Sequence, residues 1–165
     1  MIETVPFTAP AGTRIGHVHL RVSDLERSVA FYRDVIGLEV QVAWGGRAAF
    51  LGADGYHHHV GLNTWSSAGN GPADPRRPGL FHVAFLYPTR ADLGRAIARV
   101  IECGVALTGA SDHGVSEAVY LDDPDGNGVE LYRDRPEAEW PREADGSLAM
   151  VNAPLDVAAL AREGS

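Results

Sequence analysis

Two histidines stand at equivalent places in two similar segments of the sequence. His17 is followed by valine in one predicted strand, and His82 is followed by valine in another. Further matches, such as DLER at 24–27 with DLGR at 92–95, keep a nearly constant separation and indicate an internal duplication. A neutral imidazole is the commonest protein ligand of transition metals. The duplication therefore predicts a two-histidine metal site between related halves of one fold.

A carboxylate on a later predicted strand completes a ligand set. Two apolar residues alternate with Glu130 over residues 128–132, so Glu130 faces away from the side that packs against a helix. Burying this carboxylate without a cation would be unfavourable. We therefore predict a divalent metal bound by His17, His82 and Glu130 with coordination positions left open. This set is typical of non-haem Fe(II) sites and also suits Mn, Co, Ni or Zn.

A run of three histidines opens a further predicted strand. Regular alternation would place His57 and His59 on one face of this strand and His58 on the other. We expect one of the three to reach the metal site. A single β-bulge would exchange the two faces, so the choice between His58 and His59 stays open at this point.

Three other polar side chains are expected around the site. His19 shares a face with His17, but the duplication aligns it with Ala84, so His17 is the predicted ligand and His19 a wall residue. Tyr120 lies on a strand face opposite two apolar neighbours, which lets its phenol enter the cavity. His113 lies in a glycine-flanked loop, a setting that suits a residue at the rim of a pocket.

The elements that must position these residues occur twice, in the order strand, helix and three strands. Hydrophobic periodicity and turn residues predict the first copy at strands 15–22, 38–43, 47–51 and 57–64, with a helix between Asp24 and Gly37. The same signals predict the second copy at strands 80–86, 105–108, 118–121 and 128–132, with a helix at 90–102.

These elements predict an α+β fold of two tandem βαβββ modules. The strands are expected to form a curved mixed sheet shaped as a cup, with the helices on its outer face. We predict an N-terminal arm over residues 1–14 and a single domain over 15–134. The domain comprises modules at 15–65 and 79–134 with a Gly- and Pro-rich linker at 66–78, and a tail with a short helix follows at 135–165.

Composition excludes several classes of partner and chemistry. The formal net charge of −8 disfavours nucleic acids and anionic membranes, since both attract basic surfaces. All 14 basic side chains are arginines, so no lysine can form a Schiff base or contact phosphates in a P-loop. The sequence shows neither a signal peptide nor an apolar run long enough to span a bilayer, and we expect a cytoplasmic protein that binds a small molecule.

The chain resembles the vicinal oxygen chelate superfamily, which comprises glyoxalases, fosfomycin- and bleomycin-resistance proteins and extradiol dioxygenases. The motifs that carry this resemblance are GHVHLRVSDLERSVAFY at 16–32, FHVA at 81–84 and DPDGNGVEL at 123–131. Within the superfamily, three segments look like the catechol 2,3-dioxygenase branch: YHHHVGLNTW at 56–65, DHGVSEAVY at 112–120 and YRDRP at 132–136.

This resemblance implies an enzyme that cleaves a catechol-type ring with O2. It implies Fe(II) as the metal, His59 as the acid–base histidine, and His113 and Tyr120 as partners of the substrate oxygens. It also implies a homodimer. Two alternatives stay open: another metal-dependent reaction of the superfamily, such as a glyoxalase-like isomerase or lyase, and a small-molecule binding or resistance protein without chemistry.

Overall fold

A computed structural model of the protein describes residues 7–72 and 74–164. Residues 1–6 of the predicted arm therefore lie outside the described residues. The first module comprises β1 (Val18–Arg21), α1 (Leu25–Ala30), a π-helical segment (Phe31–Val35), β2 (Glu39–Trp44), β3 (Ala48–Gly52) and β4 (Val60–Asn63). The second comprises β5 (His82–Leu86), α2 (Arg90–Glu102), β6 (Leu107–Asp112), β7 (Ser116–Asp122) and β8 (Gly128–Asp134). The tail contains a 3₁₀ turn (Glu137–Glu139) and α3 (Val157–Glu163).

Both modules have the same sheet topology. The strand orders are β1-β4-β3-β2 and β5-β8-β7-β6, and in each sheet the first and last strands of the module pair in parallel. The α+β class and the two tandem βαβββ modules are therefore confirmed. The limits of the arm, the paired domain and the tail stay predictions. None of the helices in the described ranges has the length and apolar character needed to cross a membrane.

The helices form where side chains cap them and apolar residues recur at helical spacing. The Asp24 carboxylate accepts the backbone N–H of Arg27 at 3.1 Å, and the Thr89 hydroxyl accepts that of Asp92 at 3.1 Å. One hydrophobic core contains residues of both modules on the helix-covered sides of the two sheets. The opposite sheet faces are therefore left to carry the polar candidate residues.

Buried carboxylates connect the two modules. Asp123 and Asp125, in the turn between β7 and β8, are 4% and 8% exposed. Asp123 accepts a hydrogen bond from the Tyr32 hydroxyl at 3.0 Å. Asp125 accepts hydrogen bonds from the Arg27 guanidinium at 2.7 Å and from the backbone N–H of Ser23 at 3.1 Å. The turn that precedes Gly128 is thus fixed against the first helix.

The fourth strand differs from its prediction. It begins at Val60, and residues 57–59 precede it in irregular backbone with bends at His57 and His59. The reason is a tight turn in which Asp54 and Gly55 have positive φ angles and the Tyr56 N–H donates to the Ala53 carbonyl at 3.1 Å. Regular strand alternation therefore does not extend back through the histidine run.

Candidate metal centre

The side chains of His82 and Glu130 meet on one face of the second sheet. His82 opens β5 and Glu130 lies in the adjacent parallel strand β8, opposite Ala84 in the register. His82 Nε2 lies 2.9 Å from Glu130 Oε2. Val129 and Leu131, on either side of Glu130, are completely buried in the core. The predicted alternation of β8 therefore turns the carboxylate toward the candidate site.

Tyr120 and His113 extend this pair into a continuous chain. Tyr120 lies opposite Glu130 in the antiparallel pairing of β7 and β8, and its hydroxyl is 3.2 Å from Glu130 Oε1. His113, in the loop between β6 and β7, places Nε2 at 2.8 Å from the same hydroxyl. The structure thus brings together four of the residues singled out in the sequence: His82, Glu130, Tyr120 and His113.

The tail of the chain determines which nitrogen of His113 carries a proton. His113 Nδ1 lies 3.1 Å from the carbonyl oxygen of Val151, which can only accept a hydrogen bond. Nδ1 is therefore the donor, and in the neutral ring Nε2 is an acceptor facing Tyr120. The sequence held no signal for this contact, because Val151 lies far along the chain in an irregular segment.

The Tyr120 phenol is protonated at neutral pH, and its pKa lies above the ordinary value of 10.0. Desolvation, and then the negative charge of Glu130, raise the pKa of Tyr120 to about 12. A neutral phenol has one proton, so Tyr120 donates to Glu130 or to neutral His113, but not to both. The site can therefore supply a hydrogen bond and relay a proton.

The His82–Glu130 pair fits two positions on one metal ion. Ligand bonds of roughly 2.0 to 2.2 Å place adjacent donors close to 3 Å apart, which matches the 2.9 Å between Nε2 and Oε2. His82 Nδ1 is buried without a hydrogen-bond partner in the described structure. Imidazole and carboxylate are also suitable donors for Fe(II), Mn, Co, Ni and Zn. Two of the three predicted ligands, His82 and Glu130, therefore lie close enough together to bind one metal ion.

The third predicted ligand, His17, belongs to a different cluster. Its ring lies against that of His58 with centroids 4.5 Å apart. Within residues 7–72 and 74–164, no group of three or more His, Cys, Asp or Glu side chains is arranged to hold a metal ion. Within these residues His17 is therefore not grouped with His82 and Glu130, and its role as a ligand stays a prediction.

The structure separates the environments of His58 and His59. The His58 ring lies against His17 and Phe50, with centroids 4.5 and 5.1 Å away, and desolvation followed by the neighbouring histidines, His17 first, lowers its pKa. The His59 ring instead packs against Tyr56, and its Nδ1 accepts the backbone N–H of Ala53 at 3.2 Å. His58, not His59, is therefore the histidine whose ring contacts the candidate ligand His17.

His19 is held as a wall residue of the first module. The Asn63 amide lies 3.0 Å from His19 Nε2, and the rings of Phe50 and Trp65 flank the imidazole. Gly61 makes this position possible, because a Cβ there would lie only 3.0 Å from the His19 ring. The assignment of His17 as ligand and His19 as wall residue stays a prediction.

A cavity of about 950 Å³ lies beside the second-module residues. His82 and Tyr120 line it together with Arg77 of the linker and Phe81, which directly precedes β5. The ring of Phe81 lies 5.5 Å from that of His82, and its side chain is 88% exposed. Sequence reasoning missed Phe81, although an aromatic residue next to a predicted ligand was a usable signal.

The chain belongs to the glyoxalase/bleomycin resistance protein/dioxygenase superfamily, whose family model matches residues 14–131. It is 44% identical over 153 residues to the catechol-2,3-dioxygenase of Bacillus subtilis (strain 168), a match that covers 92% of this chain and 52% of that protein. It is 35% identical over 121 residues to biphenyl-2,3-diol 1,2-dioxygenase 3 of Rhodococcus globerulus, covering 73% and 63%. The chain thus spans about half to two thirds of the length of these relatives.

Solved structures share the fold at low sequence identity. A glyoxalase/dioxygenase from Nostoc punctiforme superposes with a TM-score of 0.61 at 22% identity, covering 81% of this chain and all of that one. A glyoxylase/bleomycin resistance protein/dioxygenase domain from Frankia sp. EAN1pec gives 0.62 at 24% identity, covering 74% and 98%. These similarities support the paired-module architecture.

Proposed function

We propose that the protein is a metal-dependent extradiol dioxygenase, which cleaves a catechol-type aromatic ring with O2. The observation that carries the proposal is the chain of contacts from His82 through Glu130 and Tyr120 to His113 at the wall of a cavity. The similarity to a catechol-2,3-dioxygenase over most of the chain favours this chemistry over the other activities of the superfamily.

His82 and Glu130 would hold the metal, with His17 as the third ligand. Fe(II) is the metal proposed, and when bound it supplies electron transfer between the diol and O2. Open coordination positions beside the cavity suit a ligand that chelates through two adjacent oxygens. The Glu130 carboxylate would balance the charge of a bound cation in this partly buried site, where an uncompensated charge would be unfavourable.

Tyr120 and His113 would handle the oxygens and protons of the substrate. The Tyr120 phenol stays protonated because its pKa is about 12, so it can donate to a diol oxygen as negative charge develops there. His113 Nε2, 2.8 Å from the phenol, can accept the proton that Tyr120 gives up, while Val151 holds the ring in place. A neutral His113 therefore suits a base.

We further propose His58, rather than His59, as the acid–base histidine of the first module. The position of its ring against His17 supports this assignment. The lowered pKa of His58 supports it as well, since the neutral ring is then available as a proton acceptor near neutral pH. The sequence-based assignment to His59 is the alternative.

The direct test is oxygen uptake by protein loaded anaerobically with Fe(II). Catechol and biphenyl-2,3-diol should be consumed with one O2 per ring and give a coloured ring-cleaved product. Hydroquinone is the matched control, because its two hydroxyls cannot chelate one metal and it should give no uptake. Loading with Zn(II) should abolish turnover while the metal still binds, because zinc has no redox chemistry.

The absence of oxygen uptake with every adjacent diol would contradict the proposal. Binding of diols without turnover by the Fe(II) protein would favour a binding or resistance protein. Metal-dependent conversion of a substrate without O2 consumption would favour the glyoxalase-like activities.

A further inference from the structure

The tail of the chain adds a short extended segment, residues 151–153, to the outer edge of the second sheet. β6 is the outer strand of this sheet beside β7. Asp112, the last residue of β6, exchanges two backbone hydrogen bonds with Ala153, both at 2.9 Å. The Val151 N–H donates to the His113 carbonyl at 3.0 Å. The tail segment is therefore paired with the backbone that carries His113.

Both ends of the tail segment are anchored to the rest of the molecule. Before it, the Trp140 indole N–H donates to the Arg135 carbonyl at 2.8 Å, and residues 141–149 fold back on themselves in a hairpin. After it, α3 packs on α2 with Leu160 completely buried, and Gly94 of α2 leaves no room for a Cβ between the two helices. These contacts hold the tail segment in a defined position along His113.

The carbonyl of Val151 selects one tautomer of His113. It lies 3.1 Å from Nδ1, so the proton of the neutral ring is on Nδ1, and Nε2 faces the Tyr120 hydroxyl as an acceptor. We propose that the tail segment is a positioning element of the site, which directs the proton of Tyr120 toward His113. This inference rests on the proton relay of the proposed function and adds that the tail determines its direction.

The other tautomer of His113 would reverse the relay. With its proton on Nε2, His113 would donate to the Tyr120 oxygen, and the Tyr120 proton would be left to Glu130, 3.2 Å away. The ring would then have no lone pair facing Tyr120 and would not act as a base toward it. A backbone carbonyl suits the task of preventing this state, because it only accepts hydrogen bonds and does not titrate.

Gly114 allows the tail to approach the loop between β6 and β7 this closely. Its φ angle is +76°, and a Cβ there would lie 2.8 Å from Cγ of Pro141 and 3.2 Å from Cγ2 of Val151. Both atoms belong to the tail. A side chain at position 114 would therefore push the tail away from His113, which makes Gly114 a positioning residue as well.

The test compares alanine at two glycines with similar backbone strain. Gly114→Ala sets a Cβ against Pro141 and Val151, whereas Gly146→Ala, at a φ of +86°, sets one where nothing of the described chain lies within 4 Å. A third variant, Gly114→Ala with Pro141→Ala, removes the ring atoms that the new Cβ would meet. If Gly114→Ala does not fold, Val151→Pro replaces it, because proline lacks the N–H that bonds to the His113 carbonyl.

The first measurement is the ¹⁵N NMR spectrum of the histidine rings in the full chain with Zn(II), at alkaline pH where imidazoles are neutral. The His113 signals are assigned by their loss in His113→Gln. In the unaltered protein and in Gly146→Ala, Nδ1 should be protonated and Nε2 unprotonated. In Gly114→Ala the proton should move toward Nε2, and the added Pro141→Ala should restore the original pattern.

The second measurement is turnover of catechol by the Fe(II)-loaded variants. Gly114→Ala should lower kcat by roughly tenfold or more with little change in KM, because the altered ring no longer accepts the proton of Tyr120. Gly146→Ala should stay within about threefold of the unaltered protein. Adding Pro141→Ala to Gly114→Ala should recover most of the lost kcat.

An unchanged His113 spectrum in Gly114→Ala, or a proton on Nε2 in the unaltered protein, would overturn the proposal. Equal changes in Gly114→Ala and in its combination with Pro141→Ala would also overturn it, since they would arise from the loop alone. The spectra are independent of turnover. A tail-dependent tautomer without ring cleavage would remove the proposed activity and leave the control of His113 by the tail, whereas ring cleavage with a tail-independent tautomer would do the opposite.

Discussion

The phenol of Tyr120 has one proton and two neighbouring acceptors. Glu130 lies 3.2 Å away and neutral His113 presents Nε2 at 2.8 Å. When His113 is protonated, its Nε2 donates to the phenol and the phenol donates to Glu130, so both neighbours of the phenol are hydrogen-bonded to it. When His113 is neutral, the single phenol proton can reach only one acceptor, so either Glu130 or His113 Nε2 has no hydrogen bond from Tyr120. We therefore expect Tyr120 and His113 to act through the position of a proton rather than as metal ligands.

Replacing Tyr120 by Phe should slow turnover without releasing the metal. The substitution removes the donor to the substrate oxygen, and we expect a loss of roughly a hundredfold in kcat. Iron per chain and oxygen uptake with catechol measure the two effects separately. Tyr132→Phe, on the neighbouring strand, is the matched control and should retain most activity. Loss of iron in Tyr120→Phe would instead assign Tyr120 to the metal site.

Glutamine substitutions distinguish the two candidate acid–base histidines. His58→Gln should lower kcat by roughly a hundredfold, because glutamine cannot take up a proton. His59→Gln should stay within about threefold of the unaltered protein, since the His59 ring packs against Tyr56 outside the site. The pH profile of kcat/KM should lose its acidic limb in His58→Gln alone. The opposite ranking would restore the assignment made from the sequence.

At the level of elements, the turn between β7 and β8 holds the modules in register. Asp123 accepts hydrogen bonds from the Tyr32 hydroxyl and from the backbone N–H groups of Asp125 and Asn127 at 2.9 to 3.0 Å. Burial, and then the charge of Asp123, raise the pKa of Tyr32. The same carboxylate therefore shapes the turn and joins it to the first helix.

Removing the Asp123 carboxylate should destabilise the protein strongly. Asp123→Ala leaves several buried donors without an acceptor, and we expect a loss of about 3 kcal/mol in the free energy of unfolding. Asp122→Ala is the control, because Asp122 is exposed at the end of β7 and its loss should change stability by less than about 0.5 kcal/mol. Urea unfolding measures both. Equal stabilities of the two variants would show that the turn does not hold the modules.

Across the whole molecule, one buried carboxylate connects the second sheet to the helices. Glu117 is 3% exposed. Its carboxylate accepts hydrogen bonds from the guanidinium groups of Arg90 at the start of α2, Arg133 in β8 and Arg135 beyond β8. Arg90 also pairs with Glu163 in α3. Burial alone would raise the pKa of Glu117, but the hydrogen bonds from Arg90 and Arg133 outweigh it and lower the pKa below its ordinary value.

This lowered pKa predicts how stability depends on pH. The folded state favours the ionised carboxylate, so its contribution is complete above the ordinary pKa of 4.5 and is lost as pH falls through the lower folded value. Glu117→Gln should lower the Tm at pH 7 and flatten its decline below pH 4.5. Calorimetry over this range, with the exposed Glu137→Gln as control, measures the effect. An unchanged slope would contradict the role of Glu117.

The sequence by itself determined the repeated elements and the residue types of the site. Local capping and apolar periodicity predicted α2 at its observed bounds, Arg90–Glu102, because these signals act within a few residues. The alternation of β8 correctly turned Glu130 away from the core, since strand geometry fixes the faces of neighbouring residues. The duplication likewise correctly predicted one topology for both modules.

Only the tertiary structure decided which of these residues meet. The structure packs His17 against His58 and His82 against Glu130, contacts that join residues far apart in the chain. The backbone turn before Val60, which no alternation rule covers, gave His58 and His59 different surroundings. Local sequence patterns fix conformation and face. Long-range packing fixes distance, and a metal site depends on distances.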